Sequence, residues 1–278
     1  MARLHLTEPV VVELVPNRLP VVLVSFDGGP PVPCLVDCGA EKSFLDADAA
    51  ERLGVKLGDY AQPFTVRGVD GHESRVHRCA YVRRVELGAL LVEDCYIPLL
   101  ESDLFDVQNV GGLLGQDVLA RFPFVIDVQR GKLHLLPPDM RRTGIETYLG
   151  AADIGRGDWV IATADFRPCP FLTLDVEGVG ELEIEVDTGA GMMCLPERVI
   201  DALALTPVGV GEAPSLAGPK QVRTYLLENF GLFGTRIRTE VQAIRDEHGL
   251  LGMDVLGGFV LVLNAPEKTV WLHRRTTR

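Results

Sequence analysis

The chain of 278 residues is poor in aromatic side chains (6%) and lacks any apolar run long enough for a transmembrane helix, which takes about 18 residues. It also lacks a basic block. Against 39 acidic residues there are 27 Lys and Arg, a net charge of −12. The Arg83-Arg84 and Arg141-Arg142 pairs and the Arg274-Arg275 tail are too short to make a face for phosphate backbones. Neither a nucleic-acid nor a membrane partner is expected. No Gly-x-Ser-x-Gly, Gly-x-Gly-x-x-Gly or Walker-type loop occurs, which argues against a serine-hydrolase elbow and against nucleotide binding. Cys34-x3-Cys38 has no second tight Cys/His pair to complete a zinc site, so no metal and no cofactor are expected. Residues 1–14 lack the basic start and apolar stretch of a signal peptide. A cytoplasmic location with reduced thiols is therefore the expectation for the six scattered cysteines.

What is abundant is glycine (29), proline (18) and short Val/Leu-rich runs within a 47% hydrophobic chain. That composition favours strands and turns over long helices, with ample material for a core. Residues 10–15 and 19–26 read as a hairpin about Pro16-Asn17-Arg18. Residues 75–87 and 90–99 read as two long strands around Gly88. Asp46 is a suitable cap for a short helix ending at Gly54.

The chain states its main pattern twice. Cys34-Leu35-Val36-Asp37-Cys38-Gly39-Ala40 is echoed 150 residues later by Ile184-Glu185-Val186-Asp187-Thr188-Gly189-Ala190. Gly112-Leu113-Leu114-Gly115-Gln116-Asp117 is echoed 137 residues later by Gly249-Leu250-Leu251-Gly252-Met253-Asp254. A repeat this long is a duplicated domain and not a solenoid. The expected organisation is a first lobe over residues 1–138, a Pro- and Gly-containing linker without sustained periodicity over 139–157, and a second lobe over 158–278.

Each copy sets an aspartate after an apolar strand, then a small residue bearing OH or SH, then glycine. The strand fixes the carboxylate, and the glycine allows a tight turn whose N–H groups orient it. One such motif is half a site. Two in related lobes bring two carboxylates face to face, where they share a proton: one acts as general base toward water, the other as general acid toward a carbonyl. That combination suits peptide hydrolysis without metal or covalent intermediate. Asp117 and Asp254 also recur, and read best as helix caps.

These four motifs, in the same order in both halves, resemble those of retropepsin-like aspartic proteases. The resemblance implies an all-β, bilobal fold of two homologous β-barrel lobes with a few short helices, an internal pseudo-dimer active as a monomer. It implies an aspartic endopeptidase with Asp37 and Asp187 catalytic, supported by Cys38, Gly39, Ala40, Thr188, Gly189 and Ala190. Its partner would be a peptide or protein substrate held extended between the lobes. Flap hairpins are expected at Gly68, Val69, Asp70 and Gly71 in lobe one and at Ala217 and Gly218 in lobe two. Ala40 and Ala190 cannot donate a side-chain hydrogen bond to the carboxylates, so a mildly acidic to near-neutral optimum is expected. The departure is Cys38, a weak donor where the family has threonine. It leaves open a catalytically silent protein that binds extended peptides, and it places a thiol beside the site where oxidation could act.

Overall fold

The computed structural model describes residues 3–68, 71–155, 159–213, 215, 218–232 and 234–274. Lobe one contains β1 (Arg3–His5), β2 (Val10–Glu13), β3 (Val21–Phe26), β4 (Val32–Val36), β5 (Phe44–Asp46), β6 (Lys56–Arg67), β7 (Glu73–Leu87), β8 (Leu90–Leu100), β9 (Gly112–Leu114), β10 (Phe124–Asp127) and β11 (Lys132–Leu135). Its short helices are α1 (Ala47–Leu53), α2 (Asp103–Gln108) and α3 (Gln116–Leu119). A further helix, α4 (Arg142–Ala151), follows. Lobe two contains β12 (Val160–Thr163), β13 (Asp165–Phe166), β14 (Pro170–Val176), β15 (Gly180–Val186), β16 (Cys194–Pro196), β17 (Pro207–Ala213), β18 (Lys220–Leu232), β19 (Thr235–Ile244), β20 (Gly249–Leu251), β21 (Phe259–Asn264) and β22 (Thr269–Arg274), with helices α5 (Glu197–Ala202) and α6 (Met253–Leu256). The fold is all-β and bilobal, with few and short helices.

The first sheet runs β1-β8-β5-β9-β4-β3-β7-β6, and β7 also pairs with β8, so six of its strands close into a barrel. Closure leaves only the outer strands with free edges. Lobe two repeats the order as β13-β14-β15-β20-β16-β19-β18-β17. Strand β4 is buried nearly throughout and β15 over its last three residues, where each runs into its aspartate covered on both faces. Asp46 accepts from the Ala49 N–H and caps α1, which ends on Gly54 in the left-handed region (φ 64).

A third sheet, β12-β22-β21-β10-β11-β2, takes strands from both lobes. At its centre β10 and β21 pair antiparallel as Phe124↔Leu263, Val125↔Val262 and Ile126↔Leu261. These are equivalent positions of the two repeats, so the pairing is self-complementary about Val125 and Val262, as at a two-fold interface. Two elements differ from the sequence reading. Strand β2 does not form a hairpin with β3: it makes four register pairs with β11, and only the Val15↔Val21 bridge joins that segment to β3. The longer ladder satisfies more of its backbone groups. The connection also contains a ten-residue helix, α4, whose Ile145 and Leu149 are buried in a small core with Val125, Val262 and Trp271.

Candidate functional site

The two aspartates are set by the same local construction in each lobe. Strand β4 lies parallel to β9, with Val36 opposite Leu114, and β15 lies parallel to β20, with Val186 opposite Leu251. At the strand ends the Asp37 N–H donates to the Leu114 carbonyl (3.0 Å) and the Asp187 N–H to the Leu251 carbonyl (3.1 Å). The following turns are held from behind: Gln116 N–H donates to Ala40 O and Met253 N–H to Ala190 O, both at 2.8 Å. Gly115 and Gly252 permit this close packing. A Cβ at Gly115 would lie 2.4 Å from the Lys42 carbonyl carbon, and one at Gly252 2.5 Å from that of Met192. Each aspartate accepts a bond from its own turn, Gly39 N–H to Asp37 Oδ1 (2.9 Å) and Gly189 N–H to Asp187 Oδ1 (2.8 Å), with Ala190 N–H adding a second to Asp187 (3.1 Å).

The lobes are locked by a reciprocal exchange next to the aspartates. The Thr188 hydroxyl donates to Val36 O (2.7 Å) and accepts from the Cys38 N–H (3.0 Å). The Cys38 thiol donates to Val186 O (2.9 Å) and accepts from the Thr188 N–H (3.4 Å). Both side chains are fully buried. Sulfur thus occupies the same bonding pattern as its threonine counterpart. The loops approach so closely that a Cβ at Gly39 would lie 2.4 Å from Asp187 Cγ, and one at Gly189 the same distance from Asp37 Cγ.

Burial is the largest influence on both carboxyls and pushes both above the ordinary aspartate range. For Asp187 the next is repulsion from Asp37, the response of two acids that cannot both ionise cheaply. The nearby Glu185 raises both, while backbone N–H groups of the turns pull against the rise. The site therefore retains a proton above the pH at which isolated aspartates lose theirs. Burial also holds the Cys38 thiol well above its ordinary value, with Asp187 adding to the effect. This corrects the expectation of an oxidisable thiol: Cys38 is 0% exposed and kept as the weakly reactive S–H form.

A family model described as gag-polyprotein putative aspartyl protease matches residues 22–121, from β3 through α3 and both motifs of lobe one. A search of curated proteins finds no match. Lobe two repeats the motifs and strand order of the matched segment with a second Asp-x-Gly.

The hairpins expected as flaps are present as β6–β7 and β17–β18. In the first turn Gly68 N–H donates to His72 O (2.8 Å) and Gly71 N–H to Gly68 O (2.9 Å). Val69, Asp70 and Ala217 lie outside the described residues. In the second turn Gly218 adopts φ 96, and a Cβ there would lie 2.9 Å from Asp103 Oδ2 on α2, so this turn reaches the other lobe. A cavity of ≈ 530 Å³ on lobe one, between α1 and α2, is lined by neither aspartate. Among the described residues no group of three or more His, Cys, Asp or Glu is placed to hold a metal ion.

Three features of the site escaped sequence reasoning. Asp117 does not cap α3, whose cap position is Gly115; its carboxylate instead accepts from the Ser43 N–H (2.8 Å) and hydroxyl (2.7 Å). Ser43 Oγ in turn accepts from the Gly115 N–H (3.0 Å), tying the turn after Asp37 to the Leu-Leu-Gly element. Gln116, buried where lobe two has Met253, donates from Nε2 to the Cys38 carbonyl (2.8 Å). Glu185 is buried two residues before Asp187, with its Oε2 3.4 Å from His248 Nε2. A signal for the last was visible: a charge interrupts the apolar run at 184–186 where lobe one has Leu35.

Proposed function

We propose that this protein is an aspartic endopeptidase in which Asp37 and Asp187 act together on an extended polypeptide between the lobes. The observation that carries the reading is the mutual approach of the two Asp-x-Gly loops, each glycine set against the opposite carboxyl. One carboxylate takes a proton from water as the oxygen attacks the scissile carbonyl carbon. The other gives its proton to the carbonyl oxygen, so charge does not accumulate in the transition state. The tetrahedral intermediate then collapses as a proton passes to the departing amine nitrogen and the dyad returns to its shared-proton state. The Cys38–Thr188 exchange fixes both loops, and positional precision of this kind is what makes acid–base catalysis efficient. The site draws on both halves of one chain, so the active unit we propose is a monomer.

Cleavage of a peptide library from pH 3 to 8, read by mass spectrometry, tests this. Wild type is expected to cleave, and Asp37→Asn and Asp187→Asn each to lose activity by at least roughly 10²–10⁴-fold. A folded wild type that binds extended peptides but cleaves none at any pH would replace this reading with that of a silent binding protein.

A further inference from the structure

Around the aspartates the two lobes differ most in charge at one place. Lobe two has Glu185 and His248 where the offsets of the repeat give Leu35 and Gly111 in lobe one. Residues two apart on a strand point to the same face, so Glu185 shares the face of Asp187. It is 8% exposed, in a strand otherwise apolar at this end. An unbalanced carboxylate in such a position is costly, which makes its surroundings informative.

The charges around it leave His248 as its cation. Its Nε2 lies 3.4 Å from Glu185 Oε2, its Nδ1 lies 3.3 Å from Asp246 Oδ1, and its ring meets the Phe171 ring edge-on at 5.0 Å. Arg167, stacked on the other ring contact of Phe171 at 4.3 Å, is engaged by Glu183 (2.9 Å) and Asp165 (3.0 Å). On the side facing lobe one stands Cys169, whose thiol donates to the Gly39 carbonyl (3.3 Å). Glu185 acts on Cys169 as well as on Asp37 and Asp187.

We propose that Glu185 and His248 are a charged positioning pair beside the dyad that extends the pH range over which its shared proton is kept. The proposal rests on the dyad reading above. Glu185 lies near the end of β15, which leads into Asp187, and lobe one has the uncharged Leu35 at the equivalent position. Repulsion from its carboxylate favours the protonated form of the pair, since it raises both acids. While His248 is charged it offsets Glu185. As pH rises and His248 loses its proton, the uncompensated Glu185 charge grows just where the dyad would otherwise deprotonate. The hydrogen bond to Glu185 is the largest influence raising His248.

The test is a carboxyl carbon NMR titration of aspartate-labelled full chain: wild type, Glu185→Gln, Glu185→Asp and His248→Gln. Both Gln variants keep hydrogen-bonding capacity and remove charge, and His248→Gln also gives up the ring contact with Phe171. Glu185→Gln is expected to lower the upper apparent pKa of the dyad by about one pH unit and His248→Gln to raise it, with Glu185→Asp close to wild type. The alkaline limb of peptide cleavage should move in the same two directions. An unmoved dyad, or both Gln variants shifting it the same way, overturns the proposal. Because the titration needs no turnover, absence of cleavage by wild type overturns the peptidase reading and is seen separately.

Discussion

At the scale of single residues the informative contrast is Cys38 against Thr188, which hold equivalent places and make the same four-way exchange. A hydroxyl is the stronger donor and acceptor, so Cys38→Thr should strengthen the exchange, raising stability by about 0.5–1.5 kcal/mol in denaturant unfolding, with peptide cleavage retained. Cys38→Ala should cost about 1–3 kcal/mol, since it strands the Val186 carbonyl and the Thr188 N–H in a buried interface. The native thiol should resist a maleimide at pH 8 and react once unfolded. Rapid labelling of Cys38 in the folded protein would contradict both its burial and its raised pKa.

At the scale of elements the site depends on how the Asp-x-Gly turn and the Leu-Leu-Gly element are fastened. In lobe one the Ser43–Asp117 bonds do this, and in lobe two the repeated Asp254 accepts from the backbone of Met193, the counterpart of Ser43, and also from Thr239 Oγ1 at 3.0 Å. Asp117→Ala leaves the N–H and hydroxyl of buried Ser43 without their acceptor, and should destabilise by about 1–2 kcal/mol in urea unfolding. Asp117→Asn, which keeps an acceptor oxygen, should recover part of that loss. The same elements show what was legible. The motif turns, α1 with its Asp46 cap, and the long β7 and β8 were readable because local pattern and duplication both announce them. The pairing of β2 with β11 was not, because an edge strand chooses among distant partners of similar local character. Helix α4 was missed because only Ile145 and Leu149 mark its buried face, and what they bury against, Trp271 and the central sheet, is remote in sequence. Asp117 misled because a residue at a helix start resembles a cap whether its carboxylate turns to its own helix or to Ser43.

For the whole molecule, the central six-stranded sheet and the Cys38–Thr188 exchange join the lobes into one unit at the point where two acids are forced together. That arrangement has a stability signature. Asp37 and Asp187 are raised above the value they have in the unfolded chain, so over the intervening pH range the folded state binds more protons than the unfolded state. Stability is then full below the unfolded aspartate pKa and is lost as pH rises through the folded values. His248, also raised, loses its contribution in the same direction. Urea midpoints should therefore fall between pH 5 and pH 8. The Asp187→Asn variant separates the dyad from His248, because it removes one acid of the pair and leaves the histidine in place. Its midpoint should depend less on pH than that of wild type and lie above it at pH 8. A variant less stable than wild type at pH 8, with an unchanged slope, would mean that the two carboxyls are not in conflict in the folded protein, and the shared-proton site would lose its physical basis.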